Sequence, residues 1–321
     1  MSTSGTEEAG VPPVGPHAVV SGEALVDIVV PTAGAREEAP GGSPLNVAVG
    51  LSRLGIDTLL VTELGDDDNG RLVESHVRSS GVRLHPDAVR VGRTTSTATA
   101  RLDATGAATY DFDLRWELGH VELPEDADAL HVGSVGALLR PGRDGVLDLV
   151  EGAARRGALV SYDPNARPAL TPDAAQTWLD VQEVAASADL LKMSDEDLAF
   201  LAAGHRPHEV AARLLAQRTR LFVMTRGGGG AVAFTSGCAV EVPSVRVGVV
   251  DTVGAGDSLA AGLLTGLLAA GITDRAALVG LPDKELLRLV DDAALVAALN
   301  CTRVGADPPT RAELDAARQT R

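Results

Sequence analysis

Short apolar runs alternate with amphipathic stretches through most of this chain. Runs at Val19–Val20 and Ala24–Val30, the first pair broken from the second by Gly22 and the second interrupted at Asp27, read as a strand passing into an extended segment. Thr58–Thr62, Ala129–Val132, Ala158–Tyr162, Leu190–Met193 and Leu221–Thr225 read as further buried strands. Helical spacing fills the intervals. Ser43-Pro44 opens the first helix as cap residue and N-terminal proline, followed by apolar Leu45, Val47, Ala48, Val49, Leu51 and Leu54, with Gly55 closing it. Other helices are expected at Asn69–Ser79, Gly145–Arg155, Ala174–Ala186, Asp195–Ala203 and His208–Gln217, and the last two at about Ala255–Ala270 and Asp283–Asn300. Apolar strands alternating with helices predict a mainly parallel sheet covered on both faces.

One region breaks the rhythm. From Arg93 to Trp116, Thr/Ser/Ala alternation on either side of a turn at Asp103–Gly106 has the two-residue period of a β-hairpin. It holds Tyr110, Phe112 and Trp116, three of the chain's eight aromatic residues (two Trp, two Tyr, four Phe). Tyr110 and Phe112, two apart, share a face. On residues alone this is either a satellite core or a lid over a substrate, joined by Val29–Pro40 in a small antiparallel sheet. The expected organisation is a disordered tail over residues 1–17, then a single domain over 18–321 with lid segments at about 29–40 and 92–117.

Composition removes several classes. At 321 residues with 45% hydrophobic content the chain is long enough for a large globular core. No apolar run is long enough to span a membrane. The start, Met1–Gly15, has neither a basic region nor an apolar stretch, so no secretory signal is expected and the expected compartment is the cytoplasm. Cys238 and Cys301 form no metal or redox spacing, and the seven histidines lack a zinc-type pair. A net charge of −16 argues against nucleic acid or anionic membrane as partner. Lysine occurs only as Lys192 and Lys284, so an anionic ligand would depend on arginines, one lysine and helix N-termini.

The candidate chemistry lies at Val250–Ser258. Gly254, Ala255 and Gly256 run into an apolar helix, and small residues there let backbone N–H groups converge on one point with the helix dipole behind them. Asp257 stands beside it. These residues fit two readings: close packing at a helix start, or an anion cradle with an adjacent base, the pairing that phosphoryl transfer to a hydroxyl requires. No Gly-x-x-x-x-Gly-Lys-Ser/Thr occurs, which excludes a P-loop, and no Gly-x-Gly-x-x-Gly follows the first strand, which counts against a dinucleotide-binding oxidoreductase.

From about Val19 to Leu314 the chain resembles the ribokinase-like (PfkB-type) carbohydrate kinases. Gly41-Gly-Ser-Pro-Leu-Asn-Val-Ala-Val-Gly-Leu-Ser-Arg-Leu-Gly55 resembles that family's N-terminal signature and Asp251-Thr-Val-Gly-Ala-Gly-Asp-Ser258 its C-terminal one. Gly22–Asp27, Tyr110–Phe112, Asp163–Arg167 and Cys301–Pro309 look most like the bacterial fructokinases within it. The resemblance implies a three-layer α/β/α core with a β-sheet lid, ATP and Mg2+, with a monovalent cation such as K+ as a further requirement, and a homodimer formed through the lid. It implies transfer of the γ-phosphoryl group of ATP to a primary hydroxyl of a sugar, fructose first. A 2-keto-3-deoxygluconate or nucleoside kinase of the same family is the alternative, with Arg101 and Arg115 as cations for an acid sugar. A non-catalytic sugar-binding protein is the alternative from another class.

Residue by residue, the resemblance implies Asp257 as catalytic base and Gly254, Ala255 and Gly256 as its anion hole. It implies Asp27, Gly42, Asn46, Phe112 and Arg167 at the sugar, with Gly42 leaving room for it. Lys192, Thr225, Gly227 and Gly229 fall at the nucleotide. The family's Asn-x-x-Glu element, which orders water around magnesium, reads Ser194-Asp-Glu-Asp197 here. That places Asp197 at the metal through water, with Glu196 as a substitute by a change of register.

Overall fold

The computed structural model describes residues 15–32, 34–103 and 108–321. The central sheet has nine strands: β1 (His17–Ser21), β4 (Asp57–Val61), β6 (Arg83–Leu84), β10 (Ala129–Gly133), β11 (Leu159–Asp163), β12 (Leu190–Ser194), β13 (Leu221–Thr225), β14 (Ala231–Phe234) and β15 (Ala239–Val242). A second sheet contains β2 (Leu25–Val30), β3 (Glu37–Gly41), β8 (Thr97–Leu102) and β9 (Ala108–Asp113), and a two-stranded ribbon pairs β5 (Leu64–Gly65) with β7 (Val89–Arg90). The large sheet runs β15-β14-β13-β12-β11-β10-β1-β4-β6, and only β14 opposes the common direction. β1 begins at His17, inside the stretch expected to be a tail.

Alternate residues of each strand serve opposite layers. Val20, Leu60, Leu159, Leu190 and Leu221 pack in one apolar cluster, while Val19, Leu59, Val160, Leu191 and Phe222 pack in the other. The first cluster is closed by α1 (Ser43–Arg53), α2 (Asp68–Ser79), α7 (Ala255–Ala269) and α9 (Asp283–Asn300). The second is closed by α3 (Gly142–Arg156), α4 (Ala174–Ala185), α5 (Asp195–Leu201) and α6 (Pro207–Leu215). The architecture is the expected three-layer α/β/α. Two helices had no prediction, α8 (Arg275–Val279) and α10 (Arg311–Gln319).

The order reverses about β1: the chain proceeds to β4 on one side and later to β10 on the other. Ligands in open sheets bind at such a switch point, beyond the carboxyl ends of the strands. The segments after β1, β10, β11, β12 and β13 all emerge there, as does the N-terminus of α7.

The second sheet corrects one expectation. Its outer pairs, β2–β3 and β8–β9, are antiparallel, but the central pair β2–β8 is parallel. The chain leaves β2 through a hairpin, crosses the core and returns to β8 in the original direction, so the sheet is mixed. Its strands also begin at Leu25, earlier than the expected segment. The predicted turn residues 104–106 lie outside the described residues. Trp116 belongs elsewhere: its ring is buried in the core and Nε1 donates to the Gly136 carbonyl at 2.8 Å.

Candidate active site

A cavity of about 920 Å³ lies between the second sheet and the carboxyl ends of the large one. Register explains how the second sheet covers it. Asp27 on β2 pairs with Ala98 on β8, which pairs with Phe112 on β9, and this row of side chains lines the cavity. Tyr110, one row on, stacks on Phe112 with ring centroids 6.1 Å apart but stands 61% exposed and outside the lining. The lid reading is the one the geometry supports, through Phe112.

At the far wall, Gly254 takes a left-handed conformation (φ 74°) as the N-cap of α7, where a Cβ would stand 2.6 Å from Ala306. The loop before it is pinned: Asp251 accepts from the N–H groups of Val253 and Gly305, and Asn300 donates to the Val253 carbonyl. Within the cradle the Ala255 N–H is turned back to the Thr252 carbonyl. Those of Gly256 and Asp257 have no protein acceptor among the described residues, as the first turn of a helix leaves them. They are the N–H groups of the cradle left free to meet an anion.

Asp257 is 7% exposed, and α1 holds both its oxygens: Ser43 Oγ donates to Oδ1 at 2.6 Å and Asn46 Nδ2 to Oδ2 at 2.8 Å. Two donors and no acceptor suit an ionised carboxylate with one further acceptor direction left on each oxygen. Ser43 is therefore not the helix cap. Gly42 caps α1, and Ser43 becomes its first residue with its hydroxyl committed to Asp257. Asn46, expected at the sugar, lines the cavity and gives one of its two amide N–H donors to Asp257.

Gly42 is required by the backbone as well. At φ 109° its Cβ would lie 2.6 Å from the Glu23 carbonyl, so the backbone itself excludes a side chain before any sugar arrives. Gly41 carries an unexpected constraint, because a Cβ there would collide with Asp27 Oδ2. Asp27 opens into the cavity, and the surrounding protein pushes its carboxyl up to about 6, with Arg167 opposing. Arg167 itself donates to the carbonyl and Oδ1 of Asn165, which stands at positive φ.

A carboxyl held up in the folded state costs stability as pH rises from its unfolded value, near 4, to about 6, and the cost stays constant above that. Asp27→Asn is accordingly expected to melt above the wild type at pH 8 and level with it at pH 4, while binding sugar at least ~10-fold more weakly. Thermal melts at the two pH values with sugar titrations check it; unchanged melting at both would contradict the electrostatic account.

Lys192 reaches the cradle from β12. Its Nζ donates to Asp163 Oδ2 at 2.7 Å, and a Cβ on Gly256 would come 2.9 Å from it. Burial disfavours the ammonium, but the carboxylates of Asp163, Asp257 and Asp197 outweigh it and Lys192 stays charged. Beneath, His131 donates or accepts at Ser161 and is pushed down to about 3 by burial and by Lys192, hence neutral.

The residues expected at the nucleotide do not all reach the cavity. Thr225 and Gly227 line the cavity, but the neighbours there are Gly228 and Gly230, not Gly229, whose missing side chain faces Arg226. The turn between the antiparallel strands β13 and β14 sets this, since Gly229 N–H folds back to Arg226. Ala294, Ala297 and Ala298 on α9 with Val245 form an apolar slot that sequence reasoning missed. Their i, i+3, i+4 spacing was the available signal.

Asp197 is used structurally. It accepts from Ser194 N and Oγ and from the Ala166 N–H, closing a capping box on α5. Glu196 is exposed on the cavity wall; its N–H donates to Asp195 Oδ1 at 3.1 Å, and its carboxylate has no protein partner among the described residues.

Asp257, its cradle and the lid row stand at one cavity on a three-layer sheet, and the chain belongs to the pfkB family of carbohydrate kinases, whose model matches residues 17–313. It is 35% identical over 274 residues to a fructokinase of Klebsiella pneumoniae, covering 83% of this chain and 89% of that one. The fructokinase of Xylella fastidiosa, solved with bound ATP, superposes with a TM-score of 0.85 at 29% identity over 95% of this chain and 99% of that one. A doubly substituted fructokinase of Vibrio cholerae O395, solved with fructose, ADP and a potassium ion, gives 0.78 at 27% identity over 94% and 97%.

Proposed function

We propose that this chain is an ATP-dependent fructokinase that forms fructose 6-phosphate. The observation that carries the transfer step is the placement of the doubly held Asp257 carboxylate beside the free N–H groups of the α7 cradle. Asp257 takes the proton from the sugar hydroxyl, the oxygen bonds to the γ-phosphorus, and the bond from that phosphorus to the β-phosphate bridging oxygen breaks, releasing ADP. The Gly256 and Asp257 N–H groups and Lys192 Nζ face the charge that builds on the transferred group.

Sugar choice follows from the lid end. Asp27 and Glu23 stand there against one guanidinium, Arg167, which suits a neutral polyol. The two arginines expected for an acid sugar do not line the cavity: Arg115 pairs with Asp113 at 2.6 Å and Arg101 is exposed. An exocyclic CH2OH is the least hindered hydroxyl to present to Asp257 while Asp27 holds the ring.

Among the described residues no three His, Cys, Asp or Glu side chains cluster to hold a metal. That donor set fits magnesium carried by the nucleotide, which keeps phosphate and water ligands and needs one or two carboxylates; Glu196 would take its waters. The ion supplies charge neutralisation of the phosphates. A K+ requirement is proposed on the Vibrio relative. No helix among the described residues is long and apolar enough to cross a membrane, and a cytoplasmic location is proposed with it. A homodimer through the lid is also proposed, supported by exposed Tyr110 and the open edges of β3 and β9. Light scattering that gives an active monomer at micromolar concentration removes it.

An assay of ADP release over fructose, 2-keto-3-deoxygluconate, ribose, tagatose and adenosine tests the substrate. Fructose is expected to give the highest kcat/KM, and preference for the acid sugar or the nucleoside would overturn the reading.

A further inference from the structure

Glu23 follows β1 and is buried to 5% exposure, yet its side chain reaches the cavity wall. Its Oε2 accepts the Gly136 N–H at 2.8 Å, and the Ser134 side chain, beside it, favours the ionised form of the same carboxyl. Both residues belong to the short 3₁₀ turn Ser134–Ala137 after β10, in which Ser134 and Val135 line the cavity. Ser134 sits at φ 56°, a left-handed conformation that a non-glycine residue keeps only when its surroundings hold it. The other side of Gly136 is held as well, its carbonyl accepting from Trp116 Nε1. No space is left for slack: a Cβ on Gly136 would stand 2.8 Å from Gly22 Cα and 3.0 Å from Glu23 Oε2.

We propose that Glu23 is a positioning residue for the sugar: by clamping the strained Ser134–Ala137 turn it fixes the cavity wall at the lid end and sets sugar affinity, without acting on the phosphate end. The inference rests on the reading that sugar occupies the lid end. The groups that face the Glu23 carboxyl are Ser134, the Gly136 N–H and, as the charged group, Arg167 beyond β11. Burial pushes the carboxyl up to about 7, opposed by those three and by the backbone N–H of Glu23 itself. As pH rises through that value the ionised form grips the Gly136 N–H more strongly, and the turn tightens.

The test uses Glu23→Ala and Glu23→Gln in the full chain, with kcat, KM for fructose, KM for ATP and hydrogen exchange of the peptide spanning Ser134–Leu138. Glu23→Ala leaves the Gly136 N–H buried without an acceptor, and the fructose KM is expected to rise about tenfold or more. Its kcat and ATP KM should stay within about twofold, with faster exchange in the peptide. Glu23→Gln restores an acceptor and should lie within about threefold of wild type at pH 8. It preserves volume, so it answers even where the alanine variant fails to fold: the fall in fructose KM centred near pH 7 should vanish, leaving the step near 6 from Asp27. Equal rises in both KM values, an unchanged fructose KM in folded Glu23→Ala, or a pH step that persists in Glu23→Gln would each overturn the proposal. If the wild type phosphorylates no sugar, the functional reading fails, and exchange of the peptide still reports on the clamp.

Discussion

Asp257→Asn is expected to fold, to bind sugar and nucleotide with near-normal affinity, and to lose ~10²–10⁴-fold in kcat, the usual contribution of a general base. The amide is isosteric: with its oxygen toward Ser43 it accepts from the hydroxyl, and turned the other way its NH2 donates to Ser43 Oγ; the cradle N–H groups are backbone. What disappears is the carboxylate proposed to accept the hydroxyl proton. Asn46 Nδ2 would then face either an amide oxygen or an amide N–H, the latter a donor against a donor. Steady-state kinetics with both KM values check the outcome. A variant retaining more than about a tenth of kcat would mean that another group takes the proton.

The second large effect concerns Lys192. Lys192→Met leaves Asp163 fully buried with an unpaired charge, and Asp163 Oδ1 has no hydrogen-bond partner among the described residues to begin with. Breaking one side of such a pair costs ~3–5 kcal/mol. Adding Asp163→Asn removes the stranded carboxylate and should return most of that stability in urea denaturation. Turnover should not return, because the cation beside Gly256 is still missing; a loss of ~10²-fold or more is expected to persist, as for other groups aimed at developing charge. A double variant with both stability and kcat near wild type would make Lys192 a structural counter-ion only.

The layered core was legible because each buried strand announces itself as an apolar run and each helix by its period. Leu221–Thr225 and Asp283–Asn300 fall where the pattern puts them. What needed the structure was contact between distant segments. That Ser43 serves Asp257 depends on α1 and α7 meeting across more than two hundred residues. Trp116 reads as part of the aromatic hairpin, but β9 ends at Asp113 and the chain then turns down into the core. The parallel pairing of β2 with β8 carries no local signal, since period two is the same in either direction. Gly229 and Gly228 cannot be told apart in a run of four glycines until the turn fixes which N–H folds back. Glu23 sits in an unremarkable apolar stretch, and its function lies in a turn more than a hundred residues away.

The central claim is transfer of the γ-phosphoryl group of ATP to the terminal hydroxyl that Asp257 faces. Phosphorus and carbon NMR of the product formed from ATP and fructose tests it most directly. Coupling of phosphorus to C6, with fructose 6-phosphate as the sole product, is the predicted result. Phosphate on C1, the anomeric carbon or a ring secondary carbon would place the sugar in another orientation and contradict the roles given to Asp257 and Asp27.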